Sequence, residues 1–294
     1  MCDPFMPKSS SVSEPAPLLG FLFATWPGEK KKQIRTWLKY QAVSVNGRPT
    51  TQFDHPLKPG DKVEIRSERS AIPKAVLGSG MKIVFEDASL IVIEKPPDLL
   101  STASEAEQEK TAYFLLTEYL RENKPRSEER AWIVHRLDRE TSGLMVFAKT
   151  AAVKTALQAG WDEFTKGYEA VAEGNLPNDR GTFVCHLDET SPFKVYSARP
   201  GERTREAITH YRVLERSKGR TLVELTLETG RRHQIRVQLA DAGCPVVGDE
   251  KYGAKTNPAK RLALHARTLK FTHPVTKQAL HFESPLPREL GRLV

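Results

Sequence analysis

The residue in this sequence best suited to chemistry is Asp138, which lies in the nine-residue stretch HRLDRETSG at residues 135–143. Arg136 and Arg139 flank it, and nearby positive charge lowers the pKa of a carboxyl group, so we expect Asp138 to be ionised. An ionised carboxylate can act as a nucleophile. A surface ion pair is the alternative, and it would be favoured for a lone Arg-x-Asp-Arg. The apolar run at residues 144–148 predicts that this polar turn leads into a buried strand.

A second group of charged side chains occupies the segment LETGRRHQIR at residues 227–236. Gly230 suits a tight turn, and the residues around it predict a strand-to-helix junction. Arg232 and Arg236 are one helical turn apart, so we expect both side chains on one face of the helix. A solvated helix face is the alternative. The segments DEKYG and RLALHARTLKFTHP follow towards the C-terminus.

The composition favours a polyanionic partner. The chain has 294 residues and a formal net charge of +8, although a basic protein can need its charge for solubility alone. Cys2, Cys185 and Cys244 are scattered, which argues against a disulfide framework or a Cys-x-x-Cys metal site and fits a reducing cytoplasm. The eight histidines lack metal-ligand spacing, so we expect no metal. No apolar run reaches the roughly 18 residues of a membrane span.

The N-terminal part of the chain combines a basic helix with a short hairpin. Ile34, Trp37 and Leu38 recur at helical spacing. VSVNG at residues 43–47 is typical of a strand closed by an Asn-Gly turn. This part resembles the S4 RNA-binding module over residues 17–67, and cations on one helix can follow a phosphate backbone without reading bases. A solvated helix face is the alternative. The predicted RNA-binding cations of the helix are Lys30, Lys31, Lys32, Arg35 and Lys39.

Changes in composition divide the chain into four segments. Residues 1–16 are rich in Ser and Pro and predict a flexible N-terminal tail, followed by the S4-like domain at residues 17–67. Residues 68–80 lack periodicity and predict a linker. We expect residues 81–294 to form a separate, larger domain.

The larger domain is predicted to be rich in strands. Helical patterns occur at residues 111–122 and 151–164, while residues 207–214 and 221–227 alternate as paired strands do. The chain from residue 176 to residue 206 shows less regularity. Because no strand-helix-strand rhythm repeats, we predict an α+β fold with a mixed, mostly antiparallel sheet.

Four segments together resemble a known family. HRLDRETSGLMVFAK, FTKGYEAVAEG, LETGRRHQIRVQLADAGCPVVGDEKYG and RLALHARTLKFTHP occur in the order seen in RluA-type RNA pseudouridine synthases, over about residues 82–285. The S4-like unit resembles the accessory domain of members that modify large-subunit ribosomal RNA. The resemblance implies the pseudouridine synthase fold and a reaction without a cofactor.

The resemblance also implies a set of site residues. Asp138 matches the catalytic aspartate, Arg236 the arginine that pairs with it, and Tyr168 the tyrosine that stacks on the target uracil. Arg136 matches the arginine that fills the gap left by an extruded uridine, and Lys166 is expected to contact RNA. We expect packing roles for Ile235, Leu137 and Leu264, and a structural, hydrogen-bonded role for His135. The chain departs from the family at Gln238, where a histidine is usual, and it matches loosely at residues 182–205.

Three other functions remain open. The substrate could be transfer RNA, since ribosomal RNA is favoured by the S4-like resemblance alone. The chain could also be a non-catalytic RNA-binding or ribosome-assembly factor. A glycoside hydrolase needs two carboxylates across a sugar bond, and Glu140 is the only nearby second acid. We expect a monomeric cytoplasmic protein that binds structured RNA and neither a membrane nor a metal.

Overall fold

The computed structural model describes residues 8–39, 43–50, 52–65, 78–103, 107–121 and 129–294. The chain divides into two compact units, Met1–Gly78 and Ser79–Val294. Residues 68–77 of the predicted linker lie outside the described residues.

The described residues of the first unit form a four-stranded sheet, a two-stranded sheet and two helices. Ile34, Trp37 and Leu38 are buried, as their helical spacing predicts. Asn46 and Gly47 have φ angles of 50° and 76°, which a two-residue hairpin turn requires. The elements are β1 (Lys8–Ser11), β2 (Ala16–Pro17), α1 (Leu18–Thr25), α2 (Lys31–Lys39), β3 (Val43–Val45), β4 (Arg48–Pro49), β5 (Pro56–Leu57) and β6 (Lys62–Ile65). The larger sheet has the order β1-β6-β3-β4, and β2 pairs with β5.

The prediction that residues 1–16 form a flexible tail is wrong for residues 8–16, which begin with a strand of the sheet. Strand β1 pairs antiparallel with β6, and Val12 is only 3% exposed. The backbone groups of β6 satisfy those of β1, so a serine-rich segment of weak strand propensity is held in the sheet. Residues 1–7 lie outside the described part of the chain.

The described part of the second unit contains a single eleven-stranded sheet. Its elements are β7 (Lys82–Glu86), β8 (Leu90–Lys95), α3 (Ala112–Arg121), β9 (Trp132–Ile133), β10 (Ser142–Ala148), α4 (Ala151–Ala159), β11 (Thr165–Glu173), β12 (Arg180–Asp188), β13 (Tyr196–Ala198), β14 (Thr204–Ser217), β15 (Arg220–Leu227), α5 (Gln234–Asp241), β16 (Leu264–Thr272), β17 (Ala279–Glu283) and α6 (Arg288–Gly291). The order is β13-β12-β14-β15-β11-β16-β10-β8-β7, with β17 beside β16 and β9 beside β10. Of these pairs, β10 with β16 is parallel, so the predicted mixed, mostly antiparallel α+β fold is confirmed.

Two of the element predictions need correction. The helix expected at residues 151–164 ends at Ala159, because Gly160 begins a short 3-10 turn at Trp161–Glu163. The region of low regularity instead contains β12 and β13, and β12 pairs with β14 along its whole length. In β12 the exposed Val184 stands between the more buried Phe183 and Cys185, so apolar and polar residues do not alternate in the way by which strands are recognised.

Strand β10 supports the turn that carries Asp138. All seven of its residues are buried between β8 and β16. Gly143 has a φ angle of 117°, and a Cβ atom there would lie 2.2 Å from the Ala266 carbonyl oxygen. Only glycine allows β10 to approach β16 so closely, which explains why the motif ends in glycine.

Candidate active site

The turn before β10 is held in place by a fully buried lysine. The Lys95 amine donates to the carbonyl oxygens of Leu99 at 2.7 Å, Arg139 at 2.9 Å and Pro96 at 3.0 Å. Burial lowers the pKa of Lys95 to about 7, although the charge of Asp138 opposes this shift. Lys95 could not be predicted as a site residue from the sequence, because its position at the end of a strand gave no signal of burial.

His135 supports the other side of the same turn. Its Nε2 atom accepts the backbone N–H of Val146 at 3.1 Å. Burial, and then the charge of Lys166, lower the pKa of His135 to about 3, so the ring is neutral at physiological pH. A neutral ring that binds backbone agrees with the expected structural role.

Arg236, from α5, links three carboxylates. Its Nη1 atom lies 3.3 Å from Asp138 Oδ2 and 3.5 Å from Glu140 Oε2, and its Nε and Nη2 atoms donate to Asp249 at 2.7 Å and 2.8 Å. The side chain is only 3% exposed. Burial would lower the pKa of Arg236, but the hydrogen bonds and charge of Asp249, with Asp138 and Glu140, raise it. Arg236 therefore stays charged and fixes the position of Asp138.

The charged partner of Asp138 differs from the one expected from its sequence neighbours. The Arg139 guanidinium donates to the Asp98 carbonyl oxygen at 3.3 Å, and Arg136 is exposed at the rim of a cavity. Arg236, which is 98 positions away in sequence, makes the contact instead. Adjacent side chains in a turn point in different directions, so sequence proximity was a poor guide. Glu140 contacts the same arginine, which the sequence analysis did not predict.

A cavity of about 830 Å³ opens beside Asp138 and is large enough for a nucleoside, since small-molecule pockets span about 300–1,000 Å³. Asp138, Arg136 and Tyr168 line it. Tyr168 projects from β11, and burial, followed by the charge of Asp138, raises its pKa. The Tyr168 hydroxyl therefore keeps its hydrogen at neutral pH, and the ring is available for stacking on a base. The structure brings these three predicted residues together with Arg236.

Two aromatic residues at the site were missed by sequence reasoning. His233 Nε2 lies 3.9 Å from Asp138 Oδ2, and His233 Nδ1 lies 2.8 Å from the Tyr252 hydroxyl. The Tyr252 ring also lies under Arg236, with 5.3 Å between the guanidinium carbon and the ring centroid. The segment DEKYG was the available signal, because it places the buried Asp249 one short turn before Tyr252.

Arg232 does not share a helix face with Arg236. Helix α5 begins at Gln234, so Arg232 precedes it. The Arg232 guanidinium donates to the carbonyl oxygens of Glu189 at 3.1 Å, Pro192 at 3.1 Å and Ser191. Arg232 therefore holds the loop between β12 and β13. It is not on the helix because the turn at Gly230 places the first helical residue after it.

Lys166 has a different environment from the predicted one. It is only 4% exposed, and its amine donates to the carbonyl oxygens of Glu228 at 3.3 Å and Trp161 at 3.4 Å. Burial lowers its pKa. Lys166 therefore holds the turn at Trp161 and also lines the cavity, and its contact with RNA stays a prediction.

The predicted cations of the S4-like helix lie in the first unit. Lys30, Lys31 and Arg35 are exposed, and the last two lie over the Phe23 ring at 6.0 Å and 5.7 Å. The side chains of Lys32 and Lys39 lie outside the described residues.

Gln238 is accommodated within the second unit. Its side-chain oxygen accepts the Thr209 hydroxyl at 2.6 Å, and its amide donates to the Ala207 carbonyl at 3.0 Å. Leu137, Ile235 and Leu264 are buried, as their expected packing roles require. Within residues 8–39, 43–50, 52–65, 78–103, 107–121 and 129–294, no side-chain cluster could hold a metal ion and no helix is long and apolar enough to span a membrane.

The contact between Arg236 and Asp138 beside a cavity that could hold a nucleoside makes a candidate active site, and comparison with known proteins gives its class. Residues 89–241 match the family described as RNA pseudouridylate synthase, and the chain belongs to this family. It is 34% identical to ribosomal large subunit pseudouridine synthase D of Escherichia coli (strain K12) over 290 residues, covering 92% of this chain and 86% of the relative. The Haemophilus ducreyi protein of the same name is 32% identical over 302 residues, with 95% and 91% covered.

Solved structures show the same architecture. The human RNA pseudouridylate synthase domain containing 4 matches with a TM-score of 0.62 at 26% identity, covering 74% of this chain and 96% of that one. The human RNA pseudouridylate synthase domain containing 1 matches with a TM-score of 0.56 at 25% identity, covering 70% of this chain and 84% of that one. The chain is accordingly an RNA pseudouridine synthase, an isomerase.

Proposed function

We propose that Asp138 is the nucleophile that starts the isomerisation of a uridine extruded into the cavity. The carboxylate reacts with the nucleoside as the bond between uracil N1 and ribose C1′ breaks, and it leaves again when uracil C5 bonds to C1′. The proton lost from C5 is balanced by one gained at N1. The observation that carries this proposal is the 3.3 Å contact between Arg236 and Asp138 in a cavity that Tyr168 also lines.

The neighbouring residues support this chemistry. Arg236 orients Asp138 through the contact between its Nη1 atom and Asp138 Oδ2, which favours attack by a carboxylate held in one position. Tyr168 stacks on the uracil and holds the detached base near the sugar, which makes rejoining efficient. Arg136, exposed at the rim, fills the gap in the RNA and recovers part of the few kcal/mol that extrusion costs.

Ribosomal RNA is the substrate class that we propose. Relatives with 86% and 91% of their length covered are named for the large ribosomal subunit. The exposed cations of α2 support a phosphate contact by the first unit. We propose that residues 17–67 form an S4-like RNA-binding domain. Residues 81–294 would then form the catalytic domain. A monomer in the cytoplasm, where ribosomes assemble, would fit this substrate.

The Asp138→Asn variant tests the nucleophile. It removes the charge at constant size, so single-turnover pseudouridine formation should fall more than about 1,000-fold while the Kd for RNA stays within about threefold. Glu140→Gln is the matched control, because Glu140 also contacts Arg236. We expect it to keep turnover within about tenfold of wild type. Full turnover by Asp138→Asn would contradict the proposal.

Site-resolved pseudouridine mapping in cells that lack the gene tests the substrate. Loss of pseudouridine from large-subunit ribosomal RNA, restored by the wild-type gene but not by Asp138→Asn, is the expected result. Loss confined to transfer RNA would contradict the ribosomal assignment. Unchanged pseudouridine at every position would favour a non-catalytic binding or assembly role.

A further inference from the structure

Two nitrogen donors approach the same oxygen atom of Asp138. Arg236 Nη1 lies 3.3 Å from Asp138 Oδ2, and His233 Nε2 lies 3.9 Å from that same atom. The Asp138 side chain is 21% exposed, so it still faces the cavity. The carboxylate thus has one anchored oxygen, Oδ2, and one oxygen, Oδ1, that neither of these donors engages.

The backbone of His233 has an uncommon conformation, and its ring is held by a neighbouring aromatic ring. His233 immediately precedes α5 with a φ angle of 54°, in the left-handed region that few side chains adopt without compensating contacts. Its ring meets the Tyr252 ring edge to face, with 5.6 Å between centroids and 79° between planes. These contacts hold His233 Nε2 towards Asp138.

The Tyr252 hydroxyl contacts Nδ1, the ring nitrogen of His233 other than the one near Asp138. The Tyr252 hydroxyl oxygen accepts the Val195 N–H at 3.0 Å and lies 2.8 Å from His233 Nδ1. Because the hydroxyl oxygen already accepts the Val195 N–H, the hydroxyl hydrogen is available for donation to Nδ1. A neutral imidazole that accepts at Nδ1 carries its hydrogen on Nε2.

The surroundings of His233 favour that neutral ring. Burial lowers its pKa, and the positive charges of Arg236, Lys251 and Arg232 lower it further, whereas Asp138 opposes them. A neutral His233 can donate through Nε2 without adding a second full charge beside Arg236.

We propose that His233 is a positioning residue that presents its Nε2–H to Asp138 Oδ2, so that Oδ1 is the atom that reacts with the extruded uridine. Tyr252 fixes the tautomer, and Val195 fixes Tyr252. This inference rests on the proposed role of Asp138 as the nucleophile.

The tautomer can be measured without RNA. Long-range ¹H–¹⁵N spectra of the full-length protein labelled with ¹⁵N-histidine should show His233 with a protonated Nε2 and an unprotonated Nδ1 at pH 7.5. The signal is assigned with His233→Asn, since asparagine tolerates the left-handed conformation. In Tyr252→Phe, which keeps the ring but lacks the hydroxyl, the single tautomer should give way to a mixture. A protonated Nδ1 or a fully charged ring in the wild type would overturn the inference.

Kinetics supply the second measurement. Tyr252→Phe and His233→Asn should each lower the single-turnover rate of pseudouridine formation about tenfold, with the Kd for RNA within about twofold. His233→Gln, whose amide nitrogen reaches about as far as Nε2, should recover most of the rate. A wild-type rate in His233→Asn, or equal loss in the Asn and Gln variants, would overturn the inference. If Asp138→Asn is inactive while His233→Asn is fully active, only the role of His233 is rejected. If Asp138→Asn is active, the proposed role of Asp138 as the nucleophile is rejected.

Discussion

The Arg236 guanidinium holds both carboxylate oxygens of Asp249, at 2.7 Å and 2.8 Å, with both side chains buried. This bidentate pair uses Nε and Nη2 and fixes the plane of the guanidinium. The remaining nitrogen, Nη1, is thereby directed at Asp138. Asp249 therefore orients Arg236, and Arg236 orients the proposed nucleophile.

The Arg236→Lys variant should be nearly inactive. A lysine ammonium cannot bind Asp249 through two parallel hydrogen bonds and also reach Asp138, so we expect single-turnover pseudouridine formation to fall more than about 100-fold. The buried Asp249 would lose pairing, and the free energy of unfolding in urea should fall by about 2–4 kcal/mol. A double-mutant cycle with Asp249→Asn separates the two effects. Independent, additive losses in that cycle would contradict the coupling of the two residues.

The Gly143→Ala variant should prevent stable folding of the second unit. The new Cβ would overlap the Ala266 carbonyl oxygen in the backbone of a neighbouring buried strand, which we expect to cost more than about 4 kcal/mol. Gly253→Ala is the control, because Gly253 has a φ angle of 92° but nothing lies within 4 Å of its Cβ position. Strain alone should cost it about 1–2 kcal/mol. Equal stability of the two variants in thermal unfolding would contradict the explanation by close strand approach.

His265 should make stability fall below neutral pH. Burial lowers its pKa to about 4, with Glu94 opposing, and its ring nitrogens lie 2.8 Å from the Ser142 hydroxyl and 3.0 Å from the Ser284 hydroxyl. The unfolded chain binds a proton near pH 6.5 and the folded chain does not, so stability is present above pH 6.5 and is lost towards pH 4. His265 alone should contribute a slope of about 1.4 kcal/mol per pH unit in this window.

Urea unfolding of the wild type and His265→Gln at pH 7 and pH 5 checks this slope. The variant should be less stable at pH 7, because it changes a buried hydrogen-bonded side chain, but it should lose less stability on acidification. A parallel loss in both proteins would show that His265 does not carry the dependence.

The exposed cations of α2 and of the residue before it should govern the salt dependence of RNA binding. Replacing Lys30, Lys31 and Arg35 with alanine should reduce the slope of log K against log salt by about 2–3, at roughly 0.7–0.9 for each phosphate that is no longer neutralised. The control removes three exposed cations of the second unit, Lys255, Lys270 and Arg288, and changes net charge equally. An unchanged slope in the α2 variant, or the same change in both, would contradict a phosphate-binding role for the helix.

The class of fold and four residues of the site, Asp138, Arg136, Tyr168 and Arg236, could be predicted from the sequence, whereas Lys95, Glu140, His233 and Tyr252 could not. Strand β10 was evident because an apolar run follows a polar turn, and hydrophobic periodicity is a local property of the chain. Strand β12, in contrast, gave a weak local pattern, because its ladder with β14 satisfies the backbone without a regular apolar period. The same reason hid β1, whose serines are held by β6.

The sequence alone identified Asp138 as the proposed reactive carboxylate and, through the family resemblance, Arg236 as its partner, whereas the other contacts around Asp138 were decided by the tertiary structure. Asp138 was found from its motif, but local spacing pointed to Arg136 and Arg139 as its charged neighbours. The pairing with Arg236, its orientation by Asp249 and the approach of His233 depend on strands and turns that bring distant segments within hydrogen-bond reach. Electrostatic contacts act through space over a few ångströms, and only the folded chain sets those distances.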